Sequence, residues 1–145
     1  MQKVHLNIAV SDLDKSVAFY RTLLGSQPAK ALNDYALFIT DEPAMELALD
    51  LDSRTIVDSS MHFGVVVDST QAVEAAATRL SEGGFPTNVE IDETCCYARQ
   101  TKVWTSDPDG RRWETYVVHE DTDERSDARS CCEDTQPEEG SLRDT

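Results

Sequence analysis

Two stretches of this chain repeat one pattern, Val4-His5-Leu6-Asn7-Ile8-Ala9-Val10 and Met61-His62-Phe63-Gly64-Val65-Val66-Val67. They align at an offset of 57 residues, and each is a β-rich run of the kind that forms a strand. Each stretch is followed by the sequence signals of a helix. The repeat therefore predicts a chain built from two copies of one folding unit.

Both predicted helices have a capping residue at the start and glycine at the end. In the first copy Ser11 or Asp12 can cap the helix, and Gly25 can end it. The second copy repeats this arrangement with Ser69 or Thr70 as the cap. The apolar faces, spaced by three and four residues, are Leu13, Val17, Tyr20 and Leu24 in the first helix and Val73, Ala76, Ala77 and Leu80 in the second, which ends at Gly83-Gly84.

Strand-like segments follow each helix. They are residues 35–40 and 45–51 in the first half, and 87–91, 97–105 and 113–118 in the second. Asp107-Pro108-Asp109-Gly110 joins the last two as a tight turn, with proline presetting φ and glycine taking a positive φ. The predicted fold is α+β, with two β-α-β-β-β modules, at about 1–55 and 58–120, whose curved sheets form a shared cleft.

The composition excludes several classes of partner. The net charge is −15, and only four of the thirteen basic residues are lysines, so nucleic acid and anionic membrane surfaces would repel the chain. No stretch approaches the roughly 18 apolar residues of a membrane span, and the first residues lack the pattern of a signal peptide. We expect a cytoplasmic protein.

The end of the chain differs from the rest in composition. Residues 121–145 are rich in acidic side chains, and their apolar residues are Ala128, Cys131, Cys132 and Leu142. Such a segment cannot bury enough surface to offset its ordering entropy. We expect an acidic mobile tail that follows a domain of about 120 residues.

Two adjacent thiols, Cys95 and Cys96, suggest a site for a soft ion. Neighbouring Cα atoms lie about 3.8 Å apart, whereas disulfides favour about 4.4 to 6.8 Å, so a bridge between them would be strained. Thiolates select thiophilic centres, which include trivalent arsenic and cadmium. The alternative is a pair of buried, inert cysteines that pack as small apolar residues.

Three further side chains have the pattern of a metal site. His5 and His62 occupy equivalent positions of the repeat. Because strands alternate faces and the apolar side should meet the helix, both histidines are expected on the faces opposite the helices. Glu114 takes the corresponding face of the last strand. Two histidines and one carboxylate form the facial triad of non-haem Fe(II) oxygenases, although Zn, Mn, Ni and Co tolerate similar sets. Glu46, which we interpret as the counterpart of Glu114, is a less favoured fourth ligand, and His119 is expected to be solvated beyond the last strand.

Together these features resemble the glyoxalase, bleomycin-resistance and extradiol-dioxygenase superfamily, whose members are also called vicinal oxygen chelate proteins. The segment Thr94-Cys95-Cys96-Tyr97-Ala98, with Lys102-Val103-Trp104 and the Asp-Pro-Asp-Gly turn before Trp113-Glu114, is similar to the organoarsenical carbon–arsenic lyases and their cadmium-induced relatives. The resemblance covers residues 1 to about 120 and implies a glyoxalase-like fold.

The resemblance also implies an activity and a set of site residues. It implies an Fe(II)-dependent dioxygenase that uses O2 to cleave the carbon–arsenic bond of trivalent organoarsenicals, such as methylarsenite, and releases arsenite. We expect a monomer or a homodimer. The implied metal ligands are His5, His62 and Glu114, and the implied arsenic-binding thiols are Cys95 and Cys96. Tyr97 and Arg99, which lie beside the thiols, are candidate catalytic residues that would stabilise charge. The alternative for both, and for nearby Lys102, is a solvated role on the strand.

Two other functions fit part of the pattern. A binding module would sequester arsenite or cadmium through the thiols without turnover, and oxygen consumption would distinguish it from the dioxygenase. A thiol transferase or isomerase of the glyoxalase type, using Ni, Mn or Zn, would share the metal site but would have no use for Cys95 and Cys96.

The tail contains a second adjacent pair, Cys131 and Cys132, which we interpret as a possible relay that passes a trivalent arsenical to Cys95 and Cys96 by thiol exchange. The alternative is an exposed pair without function, because nearby carboxylates raise a thiol pKa and slow thiolate chemistry. Deleting residues 120–145 is predicted to preserve the maximal rate but to raise the methylarsenite concentration needed to reach it. An unchanged concentration dependence would exclude the relay.

Overall fold

The computed structural model describes residues 1–95 and 98–121, which form two helices and two four-stranded sheets. The elements are β1 Val4–Val10, α1 Leu13–Leu24, β2 Lys30–Ala31, β3 Tyr35–Asp41, β4 Ala44–Leu51, β5 His62–Val66, α2 Thr70–Glu82, β6 Asn88–Cys95, β7 Ala98–Ser106 and β8 Arg112–Asp121. The sheets have the orders β1-β4-β3-β2 and β5-β8-β7-β6. In both, the first strand runs parallel to its neighbour and the other pairs are antiparallel. The predicted α+β fold of two β-α-β-β-β modules is confirmed.

Most strand boundaries lie within one residue of the prediction, and three differences are larger. The two-residue strand β2 was not predicted, because two residues are too few to show an alternating pattern. Strand β6 continues to Cys95 and β8 continues to Asp121, through polar residues that carry no apolar alternation. Both extensions exist because they pair with β7. A truncation that tests the tail should therefore begin after Asp121 rather than at residue 120.

Both helices begin and end close to the predicted residues. Asp12 caps α1 by accepting a hydrogen bond from the amide of Lys15, and Gly25 ends the helix in the left-handed region at φ 63°. Ser69 caps α2 and accepts from the amide of Ala72. Within the described part of the chain, neither helix is long and apolar enough to cross a membrane.

The helices bury the predicted faces against the sheets. In α1 the predicted positions are buried except Val17, which is only partly buried, and Phe19 and Leu23 join them. The main core extends across both modules, because Leu80 of α2 and Trp113 of β8 pack into the same cluster as the α1 residues. A smaller cluster lies beneath α2 and consists of Val73, Ala76, Val103 and Val117. The alternation therefore points the other strand faces, which carry the candidate ligands, away from the core.

A buried carboxylate joins the two modules. The Asp107 side chain in the turn before β8 is fully buried and accepts hydrogen bonds from the Tyr20 hydroxyl at 2.6 Å and from Arg111 Nη1 at 3.2 Å. The same Arg111 donates from Nη2 to the carbonyl of Ala9 on β1 at 2.5 Å. Burial, and then the negative charge of Asp107, raise the pKa of Tyr20 well above its ordinary value. The hydroxyl therefore stays protonated and donates to the carboxylate.

Replacing Tyr20 with phenylalanine is expected to lower the free energy of unfolding by about 1–3 kcal/mol, because the buried carboxylate loses a donor. The indole N–H of Trp113, which donates to the Tyr20 hydroxyl at 3.2 Å, would also lose its acceptor. Urea unfolding of the purified protein measures the change. Tyr35→Phe is the matched control, since the Tyr35 hydroxyl makes no hydrogen bond within the described residues, and equal losses for the two variants would contradict the prediction.

Candidate functional site

The face of the second sheet that is turned away from α2 carries a carboxylate held by a buried lysine. Glu114 on β8 is 8% exposed, and its Oε2 accepts from the Nζ of Lys102 on β7 at 3.0 Å. The other oxygen, Oε1, lies 4.0 Å from Nε2 of His62 on β5. The two carboxylate oxygens thus have different partners, and one of them is directed at the imidazole.

Lys102 was expected to be solvated if it had no catalytic role, and this is wrong. It is 2% exposed, and its Nζ lies over the rings of Trp104 and Tyr116, 5.4 Å and 5.5 Å from their centroids. Trp104 also contacts the His62 ring edge-on at a centroid separation of 5.3 Å. Alternation along β7 places Lys102 on the same face as Trp104. The pairing of β7 with β8 sets Trp104 opposite Glu114, and this brings the two charges together.

Gly64 makes room for this carboxylate. It lies directly beside Glu114 in the parallel pairing of β5 with β8. A Cβ atom at residue 64 would lie 3.0 Å from Cγ of Glu114 and 3.0 Å from Cε1 of Tyr116. A side chain at residue 64 would press on Glu114 and Tyr116, which accounts for the glycine within this strand.

Two more ionisable side chains share this environment. Burial raises the pKa of Glu90. The charge of Lys102 lowers this pKa, whereas the nearby carboxylates of Glu93 and Glu114 raise it. Burial, and then the charge of Glu114, raise the pKa of Tyr116. Neither residue was predicted from the sequence, because the proximity of each to Lys102 depends on strand pairing. Glu90 on β6 and Tyr116 on β8 are both paired opposite Lys102.

His5 lies in the first sheet and has a different partner. Its Nδ1 is 3.3 Å from Oε2 of Glu46, and both side chains are largely exposed, at 55% and 41%. The interpretation of Glu46 as the counterpart of Glu114 is wrong, because the registers differ. Glu46 pairs with His5, whereas Glu114 pairs with Gly64, two residues beyond His62.

The structure thus brings together two of the three predicted ligands, His62 and Glu114, and pairs His5 with Glu46. Among the described residues, no three His, Cys, Asp or Glu side chains are close enough to hold one metal ion. The donor chemistry nevertheless fits a divalent first-row metal, since an imidazole and a carboxylate are ordinary ligands. For both to bind one ion through bonds of about 2.1 Å at the usual angles, Nε2 and Oε1 would have to approach from 4.0 Å to about 3.0–3.4 Å. A metal ion held by His62 and Glu114 is consistent with this arrangement.

The thiol segment lies in the same sheet as His62 and Glu114. The backbone of Cys95 ends β6 and pairs with Ala98 at the start of β7. Along β7, Ala98 is six residues from Trp104, the partner of Glu114, which corresponds to about 20 Å of extended strand. Cys96, Tyr97, Cys131 and Cys132 lie outside the described residues, so their predicted roles stay predictions.

Arg99 and His119 have partners around the thiol segment. The Arg99 guanidinium contacts the carboxylate of Asp92 and lies 3.5 Å from that of Glu120, and these two carboxylates raise the pKa of the arginine. His119 lies within β8 and not beyond it, and its Nε2 is 2.8 Å from Oγ1 of Thr101. A catalytic role of Arg99 stays a prediction.

Two β-α-β-β-β modules, with imidazole and carboxylate side chains on the sheet faces away from the helices, define a glyoxalase-like protein. Residues 3–115 match the Glyoxalase/Bleomycin resistance protein/Dioxygenase superfamily, and the chain belongs to this family. The superfamily includes enzymes and is in general metal-dependent.

Named relatives cover most of the chain. A trivalent organoarsenical cleaving enzyme of Thermomonospora curvata is 41% identical over 134 residues, which cover 91% of this chain and 89% of the relative. A cadmium-induced protein of Mycobacterium bovis is 37% identical, with 92% and 94% covered. A crystal structure of a glyoxalase/bleomycin resistance protein/dioxygenase from Alicyclobacillus acidocaldarius shares the fold, with a TM-score of 0.66, 20% identity and coverage of 82% and 92%.

Replacing Lys102 with methionine is expected to lower the free energy of unfolding by about 3 kcal/mol, because it leaves the Glu114 carboxylate buried without its cation. The double variant Lys102→Met with Glu114→Gln should recover most of this loss, since it removes both charges. Chemical unfolding of the metal-free protein measures both. Lys30→Met on the exposed strand β2 is the control, and a Lys102 variant as stable as this control would show that the pair is unimportant.

Proposed function

We propose that this protein cleaves the carbon–arsenic bond of trivalent organoarsenicals, with O2 as the oxidant and Fe(II) as the cofactor, and releases arsenite. The observation that carries the proposal is the occurrence, in one sheet, of a thiol-bearing strand end and a buried carboxylate directed at an imidazole. Organoarsenical cleaving relatives at about 40% identity support the substrate class.

The proposed metal ligands are His62, Glu114 and His5. Bound Fe(II) would supply the reaction with O2, and one imidazole and one carboxylate from the second sheet would leave positions free for the reactants. The ion pair with Lys102 keeps one oxygen of Glu114 occupied, so the carboxylate would offer a single oxygen, Oε1, to the metal. His5 would have to leave Glu46, its partner in the structure, or bring that carboxylate with it.

The proposed role of the thiols is to hold the arsenic atom. Two As–S bonds from Cys95 and Cys96 would replace oxygen ligands on trivalent arsenic and leave the organic group as the third substituent. Fixing the substrate in this way removes much of the entropy cost of bringing it to the metal. Pentavalent arsenic in methylarsenate is a harder centre that already holds four ligands, so it is a poor acceptor for thiolates and methylarsenate should be inert.

The atoms of the proposed reaction balance without another reductant. Methylarsonous acid and one O2 convert to arsenous acid and formaldehyde, with arsenic trivalent throughout and the methyl carbon giving four electrons to oxygen. Neither NADH nor a thiol is consumed in the net reaction. The stoichiometry is therefore a direct test of the proposal.

The test is anaerobic loading with Fe(II), followed by methylarsenite and a measured amount of O2. Equal yields of arsenite and formaldehyde, with equal oxygen uptake, are expected. Arsenite formation without oxygen uptake would contradict the dioxygenase chemistry. His5→Ala, His62→Ala and Glu114→Ala should each reduce the iron content and the rate, and a variant that retains both is not a ligand.

Replacing either Cys95 or Cys96 with serine is predicted to abolish turnover of methylarsenite while the iron content stays at the wild-type level. Serine is a hard ligand and cannot replace a thiolate on a soft centre. Iron analysis and arsenic speciation on the same preparation measure the two properties. Full activity of either variant would exclude chelation by the pair.

A second candidate function is sequestration of arsenite or cadmium without turnover. It is favoured by the strand length of about 20 Å between the pairing positions of Cys95 and Glu114, since binding at the thiols alone needs no approach to the metal. A relative named as a cadmium-induced protein is consistent with it. Stoichiometric binding of arsenite without consumption of O2 would establish this function.

A further inference from the structure

Two irregularities interrupt the strands beside the thiol segment. In the pairing of β6 with β7, Glu90 is opposite Lys102 but Glu93 is opposite Gln100, so β6 has one extra residue between them. In the pairing of β8 with β7, Val118 is opposite Gln100 and Glu120 is opposite Arg99. His119 is therefore the extra residue of β8. Each irregularity is a β-bulge, and the two flank β7 at the same level.

One buried hydroxyl connects these bulges. Thr101 of β7 is 2% exposed, and its Oγ1 accepts from the backbone amide of Asp92 in the first bulge at 3.1 Å. The same oxygen lies 2.8 Å from Nε2 of His119 in the second bulge. Asp92 has a φ of 58°, a left-handed conformation that aspartate tolerates better than most side chains. The Thr101 hydroxyl thus replaces the ladder hydrogen bond that the bulged amide of Asp92 lacks.

The bulges separate the thiol tip, residues 93–95 and 98–99, from the part of the sheet that carries Glu114. Without the extra residue of β6, Glu93 would be opposite Arg99 and each later residue of β6 would shift by one position. A shift of one residue exchanges the faces of a strand, and a bulge bends it and increases its twist. The register and direction of the backbone of Cys95 therefore depend on these two bulges.

Arg99 strengthens the same connection. Its guanidinium contacts Asp92 on β6 and approaches Glu120 on β8, so it spans all three strands at the base of the tip. It is 39% exposed and its charge is already matched by two carboxylates. This arrangement suits an arginine that holds strands together better than one that meets a substrate.

We propose that Thr101, supported by Arg99, is a positioning residue that holds the two bulges and so sets the direction of the thiol tip toward the His62–Glu114 site. This inference rests on the proposed function. Because the tip extends about 10 Å of strand beyond Thr101, a change in direction at the bulges displaces the arsenic atom by a fraction of that length. Thr101 lies on the other face of β7 from Lys102, so its effect on the site is indirect.

The test compares Thr101→Val with Thr101→Ser and with Thr105→Val in the full-length chain. Valine keeps the shape of threonine and removes the hydroxyl, whereas serine keeps it. Thr105 is a matched control on the same strand, since it is 6% exposed and its hydroxyl donates to the carbonyl of Pro86 at 2.9 Å. All variants also carry Cys131→Ser and Cys132→Ser, so that one adjacent thiol pair is left.

Amide hydrogen exchange provides a measurement that does not depend on activity. In Thr101→Val the peptide that contains Asp92 and the thiol tip should exchange about tenfold faster or more, since the Asp92 amide loses its acceptor. Thr101→Ser and Thr105→Val should resemble the parent chain in that peptide. Equal exchange for the two valine variants would overturn the proposal.

In the same variant, turnover should fall while binding of a trivalent arsenical stays unchanged. Thr101→Val is expected to bind phenylarsine oxide as tightly as the parent chain, because neighbouring residues carry both thiols, while kcat for methylarsenite falls by about tenfold or more. A fall in kcat shared by Thr105→Val would overturn the positioning role. If the parent chain itself has no turnover, the proposed function fails, and the exchange contrast alone then decides whether Thr101 holds the tip.

Discussion

The buried carboxylate of Asp107 is the interaction on which the arrangement of the two modules depends. It lies in the turn before β8, yet its hydrogen-bond partner Tyr20 belongs to the first helix, and its cation Arg111 also binds the carbonyl of Ala9 on β1. An uncompensated carboxylate would cost several kcal/mol in this interior. Because Tyr20 and Arg111 compensate it, the turn serves as a joint between the modules, and β8, which carries Glu114, is held against the first module.

Cross-strand pairing then determines which carboxylate each of the two histidines meets. The repeat makes His5 and His62 equivalent, but their surroundings differ, since His5 meets an exposed glutamate and His62 faces a buried one that a lysine already neutralises. A buried carboxylate hydrogen-bonded to its own cation keeps a fixed orientation, whereas an exposed pair is free to exchange partners. In the proposed metal site, the second module would provide the preformed part and His5 the adaptable part.

The two ends of β7 pair differently with the neighbouring strands. Toward Trp104, regular pairing holds Lys102 beside Glu114 and places its ammonium group over two aromatic rings. Toward Ala98, bulges on both neighbouring strands interrupt the regular pairing, and the hydroxyl of Thr101 fills the gap in the hydrogen bonds. Irregular strands beside a regular sheet are a common means of directing functional groups. In this protein they lie next to the thiols and away from the proposed metal ligands.

The sequence by itself determined the repeat, the helix caps and the alternating faces of β1, β5 and β8, because these features follow from local spacing along the chain. The same spacing placed the two histidines and Glu114 on the sheet faces opposite the helices. It could not determine that Glu46 pairs with His5, that Lys102 is buried, or that bulges occur at Asp92 and His119. Those features depend on register between strands that are distant in sequence. A shift of one residue leaves the local pattern unchanged but exchanges every partner across the sheet, so only the tertiary structure decided them.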